Sequence, residues 1–431
     1  MVRNSVFLSS IIAGLLAAGS ALAQTAAPGP LLFAQGAEPV STAEEDFPVM
    51  SRPRPEFDAL GIPVSSFLLF PALTVLANYD DNVQRIQTNP LSDYFFTIAP
   101  SFRLESQWGR HMLELYGGLT DDEYVKLTNN NIVDWNIGAD GRYDVARGSW
   151  IYGAASAAKL AEPLWSPNTI GLQRTPNRYS DYHSELDATV QPNRLGVSAT
   201  ASFDRYDYLN TPLNGGGILN NTDRDMDTYK ASIRSFYDFS PGYAAFLRGS
   251  YNDNVYDQYF DSAGLHRANF GYTVDGGLDL QVTHLVSGEF YVGYVKQIYA
   301  APLRNISGLD YSIALDWLAT PLMTLHLVGA RTISPVILAG ASAADTKSGG
   351  LSVDYEVLRN LIVQAHATYA DVAYPGLTRN DVTPDLGAGL KYLIDRNLSV
   401  DLRYDYTERQ TNAAGAKFKD DLVTIGLNLH D

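Results

Sequence analysis

From about Leu68 to the carboxyl terminus, apolar and polar side chains exchange places at every residue within strand-length runs. A period of two is the signature of β-strands with unlike faces. In Thr228 to Tyr237, one face carries Tyr229, Ala231, Ile233, Ser235 and Tyr237, and the other Lys230, Ser232 and Arg234. Leu309, Tyr311, Ile313, Leu315 and Trp317 alternate with Asp310, Ser312 and Asp316. Leu398, Val400, Leu402, Tyr404 and Tyr406 alternate with Asp401, Arg403 and Asp405. In the last run Val423, Ile425, Leu427 and Leu429 stand against Thr424, Gly426 and Asn428, with Leu422 out of pattern.

A soluble β-sandwich also alternates, so the connections decide between the two. Tight polar turns fall at Trp108-Gly109-Arg110, Arg147-Gly148-Ser149, Gln191-Pro192-Asn193, Ser240-Pro241-Gly242, Thr283-His284-Leu285, Thr320-Pro321-Leu322, Leu358-Arg359-Asn360 and Asp395-Arg396-Asn397. Most of them carry the Gly, Pro, Asn or Asp that such turns require. Between them lie longer polar loops, such as Pro163 to Arg178 and Asn210 to Met226. Strict exchange of tight turns with long loops is the asymmetry of a membrane barrel, whose periplasmic turns are short and extracellular loops long. Eight turns and two free ends give about eighteen strands, an even number that places both termini in the periplasm. The expected fold is all-β: a transmembrane, antiparallel, up-and-down β-barrel over residues 67–431.

What precedes the barrel reads as two segments. Residues 1–23 carry Arg3, the apolar run Val6 to Leu16 and Ala21-Leu22-Ala23 before Gln24, the pattern of a cleaved signal peptide. Residues 24–66 are rich in Ala, Pro and Gly and read as a flexible periplasmic tail, with entry into the lumen as a plug the sharper alternative. No later stretch supplies about 18 consecutive apolar residues, which excludes a helical membrane protein.

Composition sharpens these expectations. Hydrophobic residues make up only 45% of the chain, since a barrel strand shows lipid at alternate positions. Tyr is abundant, 27 against 8 Lys, and its apolar ring with a polar tip suits the two membrane interfaces. A net charge of −17 argues against nucleic acid as a partner. With no Cys, neither a disulfide nor an amino-terminal lipid anchor can form.

Ser51-Arg-Pro-Arg-Pro-Glu-Phe-Asp-Ala-Leu-Gly-Ile62, Ser66-Phe-Leu-Leu-Phe-Pro71 and Tyr79-Asp-Asp-Asn-Val83 resemble the outer-membrane family called putative β-barrel porin type 2. Over the remaining hairpins the likeness is one of spacing and alternation. The resemblance implies an outer-membrane location in a Gram-negative bacterium and a porin-like barrel. Some members of the wider group resemble exit channels of exopolysaccharide pathways, and the family brings no catalytic or ligand residues to carry over.

About eighteen strands enclose a lumen wide enough for water. Inward positions carry Arg103, Arg142, Arg234, Arg248 and Arg403 together with Glu105, Glu114, Glu185, Asp187, Asp275, Asp279, Glu289, Asp316 and Asp354. Rings of charge of this kind set preference in pores, unless the groups pair across neighbouring strands and only brace the wall. Phe246 and Tyr291 also point inward and could stack on sugars. Acidic clusters at Asp80-Asp81, Asp121-Asp122-Glu123, Asp223/Asp225/Asp227 and Asp253/Asp257 read as solvated loop charge, with bridging of lipopolysaccharide phosphates by divalent cations as the sharper alternative. Asp223 to Asp227 lacks the Gly and terminal Glu of a Ca²⁺ loop, and no metal is assigned.

Seven scattered His, without G-x-S-x-G or H-E-x-x-H, give no catalytic constellation and call for no cofactor. The expected function is a channel passing hydrophilic solutes across the outer membrane. The alternatives are an exopolysaccharide exit channel with periplasmic export proteins, and a closed structural or adhesive surface barrel. The expected partners are outer-membrane lipid, lipopolysaccharide and the barrel-assembly machinery.

Overall fold

The structure is a computed structural model that describes residues 47–162, 166–169, 173–281 and 285–431. The proposed leader, the first half of the tail, parts of the loop after Glu162 and the Thr283-His284 part of one turn lie outside the described residues.

Among the described residues, eighteen long strands follow one another around a single antiparallel sheet. They are β1 (Phe67–Asp80), β2 (Asp93–Ser106), β3 (Met112–Tyr124), β4 (Ile132–Ala146), β5 (Ser149–Glu162) and β6 (Asn177–Val190). Next come β7 (Leu195–Tyr208), β8 (Met226–Ser240), β9 (Tyr243–Tyr256), β10 (Asn269–Gln281), β11 (Val286–Tyr299) and β12 (Ile306–Thr320). The ring is completed by β13 (Met323–Ser334), β14 (Ala344–Leu358), β15 (Leu361–Ala373), β16 (Asn380–Leu393), β17 (Leu398–Thr411) and β18 (Phe418–His430). β18 pairs back onto β1, from Ala72 opposite His430 to Asp80 opposite Leu422, so the sheet closes and leaves no edge. The barrel is therefore the eighteen-strand closed form expected from the turn spacing.

The turns explain the register. Gly148 takes φ +73° between β4 and β5, and a Cβ there would stand 2.6 Å from the Gln191 carbonyl oxygen. Just before four of the two-residue turns the ladder slips by one residue, at Asp144/Ala146, Asp238/Ser240, Leu318/Thr320 and Glu356/Leu358. A bulge at that point adds twist and lets so short a turn close. Proline interrupts pairing elsewhere: the β2–β3 ladder skips Pro100 and the β16–β17 ladder skips Pro384. Neither residue has an N–H to donate.

Alternation decides which face meets lipid. Ile425 is 53% exposed and Leu309 58%, although both lie mid-strand in paired sheet, because their side chains point out of the barrel. Exposed aromatics gather near both strand ends: Tyr143, Tyr237, Trp317, Tyr355 and Tyr392 toward the tight turns, and Tyr79, Tyr94, Tyr229, Tyr251 and Phe270 toward the long loops. Two such belts match the two interfaces of a bilayer.

The sheet reaches back into the stretch read as tail. Ile62–Val64 folds as a short strand onto Phe67–Leu69 through a turn at Ser65, which has φ 56°. Upstream, residues 47–58 lie against the tight-turn end of β12–β17. The Val49 amide donates to Thr324 Oγ1 at 2.9 Å, and the Arg52 and Arg54 guanidinium groups both donate to Glu356 Oε2 at 3.0 Å. Arg54 also reaches the Arg359 carbonyl, Arg359 the Pro53 carbonyl and Arg396 the Pro55 carbonyl.

Candidate functional site

The site is the lumen, and the pleat fills it with polar groups. All fourteen residues singled out from the sequence lie on the inner face, opposite the exposed apolar row of their strands. Their groupings are specific.

The five arginines are all engaged. Arg103 pairs with Glu105 at 2.9 Å, Arg142 with Asp144 at 2.6 Å and Arg403 with Asp405 at 2.7 Å, each two residues along its own strand. Arg234 reaches across strands to Asp279 and Glu289, and Arg248 to Asp275 at 3.1 Å and Glu289 at 3.8 Å. In this last group the guanidinium of Arg234 lies 3.8 Å from the Phe246 ring centroid and that of Arg248 lies 4.4 Å from the Tyr291 centroid. The two rings read as sugar platforms are thus covered by cations of the wall itself.

The carboxylates outnumber these cations locally. Glu105 stands directly opposite Glu114, and Glu114 opposite Asp140, so three carboxylates from β2, β3 and β4 sit side by side in the ladder. Glu185 follows on β6, across Ala154 from Asp140. Like charges directly opposite each other are unfavourable, and among the described residues only Glu105 of this row forms a salt bridge, with Arg103. Asp187 is satisfied by hydroxyls, accepting from Thr189 at 3.1 Å and Thr200 at 2.6 Å.

Three histidines missed by motif search also face inward. His326 bridges Asp316 at 2.6 Å and Asp354 at 2.9 Å. His366 lies 2.9 Å from Asp385, and His183 lies 2.6 Å from Asp204. The signal was available in strand parity: His183, His326 and His366 each occupy the polar face of an alternating run. Each imidazole links its own strand to a neighbouring one through an Asp carboxylate.

At the long-loop end the mouth is narrowed by chain. Glu162 accepts from Ser166 Oγ at 3.1 Å, Asn168 Nδ2 at 3.0 Å and Asn177 Nδ2 at 2.9 Å, and pairs with Arg224 at 2.9 Å. This buried carboxylate folds two loops, after β5 and after β7, inward onto one point. On the other side Arg267 donates to the carbonyls of Val336 at 2.8 Å and Ala341 at 2.7 Å while pairing with Asp261 at 2.7 Å. The loop after β13 is thereby held down over an apolar cluster of Val336, Ala341, Ala344, Val372 and Tyr374. Its tip meets the first loop, where the Ile337 amide donates to Asn168 Oδ1 at 3.1 Å. β5 and β13 are eight strands apart in a ring of eighteen, so this contact crosses the mouth.

At the opposite end the docked residues 47–58 line the entrance beside β13 and β14. Val49 is fully buried, and Arg52, Arg54 and Glu356 are each 4% exposed. Burial pushes the Arg54 guanidinium below its ordinary value, against the pull of Glu356.

Solved structures to which the chain is similar include the Pseudomonas aeruginosa proteins OpdK, in a complex with vanillate, and OccK2. OpdK is 10% identical with a TM-score of 0.45, covering 84% of this chain and 99% of its own. OccK2 is 11% identical with a TM-score of 0.46, covering 85% and 98%. The ferric enterobactin receptor PfeA of the same organism is 8% identical with a TM-score of 0.45, covering 87% and 81%. No functionally curated protein matches the chain in sequence. With a closed barrel, a polar lumen and a family pattern matched continuously over residues 54–431, the chain belongs to the family described as putative beta-barrel porin 2.

Proposed function

We propose that this porin-family barrel is a diffusion channel of the Gram-negative outer membrane that passes small hydrophilic solutes and favours cations. The observation that carries the reading is the state of the wall charges. Every arginine singled out in the lumen is paired with a carboxylate, whereas Glu114, Asp140 and Glu185 form no salt bridge among the described residues. A wall with surplus negative charge in a confined, low-dielectric passage concentrates cations and repels anions.

The inward loops limit solute size at one end and the docked amino-terminal segment does so at the other. A sugar track, as an exopolysaccharide exit would need, finds no support in Phe246 and Tyr291, whose faces are occupied by Arg234 and Arg248. The test is single-channel recording in planar bilayers under a salt gradient. Steady steps whose reversal potential lies toward that of K⁺ are the expected result. Silence of the full-length protein, or a reversal potential toward that of Cl⁻, would overturn the reading.

A further inference from the structure

Beyond conduction, the closing seam of the barrel presents a site of different chemistry. Every other neighbouring pair of strands is joined through the chain by a turn or loop, but β1 and β18 meet without such a connection, as the first and last strands of the ring. At the long-loop end of that ladder, Asp80 from β1, Asp81 just after it and Asp420 from β18 bring three carboxylate oxygens within 4.8 Å of one another.

The surroundings do not neutralise the group. Asp420 is 1% exposed and Asp80 8%. The Asp420 carboxylate pairs through Oδ2 with Arg85 at 2.9 Å, while its Oδ1 is buried and has no hydrogen-bond partner. That orphaned oxygen belongs to a carboxyl group lying against the Asp80 carboxyl. One oxygen of Asp80 accepts from the Asn82 amide at 2.7 Å, and Asp81 Oδ1 accepts from the Asp421 amide at 2.8 Å, which fixes both side chains in place. Asp80 and Asp420 are buried and Asp81 half-buried, so three formal negative charges face the one cation of Arg85 with little help from water, and burial of unneutralised carboxylates is costly.

We propose that Asp80, Asp81 and Asp420 bind a hard divalent cation, Ca²⁺ or Mg²⁺, that clamps the first and last strands together. The donor set is oxygen alone, with neither the imidazole nor the thiolate that selects Zn²⁺ or Cu²⁺. Ligands at the usual Ca²⁺ distance of about 2.4 Å lie at most about 4.8 Å apart, and the three oxygens fall within that limit. The clamp also holds the loop after β1, since Asn82 Nδ2 donates to the Lys419 carbonyl at 2.7 Å and Arg85 reaches Asp420 from that same loop.

The experiment is calorimetric titration of the full-length protein, refolded in detergent free of lipopolysaccharide and stripped with chelator, with CaCl₂ and then MgCl₂. In parallel, thermal unfolding is followed in chelator and in each salt. The wild type is expected to bind one ion per chain at this site, with a saturable rise in Tm of several degrees, because an ion that binds only the folded state stabilises it. Asp420→Asn and Asp80→Asn should lose both the binding and the rise. In chelator Asp80→Asn should melt no lower than the wild type, since it removes one charge from the repelling group and leaves the Arg85–Asp420 pair intact. Asp223→Asn, in another loop, should keep both. Absence of binding in the wild type, or a rise undiminished in Asp420→Asn, would overturn the proposal. So would a wild type stabilised by acid and indifferent to cations, the behaviour of two carboxyls sharing a proton.

Discussion

Asn168 and Ile337, on loops that leave opposite walls of the barrel, are joined by a hydrogen bond of 3.1 Å across the mouth. Each loop is held at its base by a charged side chain, which in the first loop also binds Asn168 Nδ2 at 3.0 Å. Glu162 fixes the first and Arg267 the second, and both anchors are buried. The aperture is therefore set by two charged groups at the loop bases.

Arg267→Ala should release the loop after β13. It removes the bonds to the Val336 and Ala341 carbonyls and leaves Asp261 without its partner; hydrogen bonds to a charged group contribute about 1.5–3 kcal/mol each. Larger and noisier conductance steps are expected in bilayer recordings, with the barrel itself still folded. Unchanged steps would show that this loop does not limit the passage.

Glu114→Gln with Asp140→Asn should weaken cation preference. Both groups are directly opposed in the β3–β4 ladder and neither contributes an ion pair, so neutral isosteres relieve repulsion while lowering the local potential. The reversal potential should move toward zero with stability equal or improved. Arg403→Ala should move it the other way, since it frees Asp405.

Glu356→Gln should detach the amino-terminal segment. Arg52 and Arg54 would remain buried beside a neutral side chain, and breaking a buried pair costs about 3–5 kcal/mol. Limited proteolysis near Arg52 and Arg54 should become fast, and conductance should rise if the segment narrows the entrance. Protection equal to that of the wild type would mean that Val49 and the turn contacts suffice.

Ile425→Arg should impair assembly, placing a charge on the lipid face at about 2–4 kcal/mol near the midplane. Asn428→Arg should be tolerated, since Asn428 points inward and bonds to Thr74 and Asp401. Heat-modifiable mobility of the refolded variants on gels checks both, and equal tolerance would refute the assigned faces.

The sequence by itself determined the strand number, the two faces of each strand and the seven tight turns that lie wholly within the described residues. These follow from local rules: side chains alternate with period two, and turn residues announce themselves by type. Tyr229 and Arg234 could be assigned to opposite faces without knowing what either touches. Only the tertiary structure decided which charges meet. Arg234 selects Asp279 and Glu289, two and three strands away, because barrel closure sets the stagger between them. The Asn168–Ile337 bridge, the docking of Arg52 and Arg54 on Glu356 and the gathering of Asp80 with Asp420 are likewise invisible to periodicity. Each joins residues far apart in the chain, and only closing the sheet on itself brings such partners within reach.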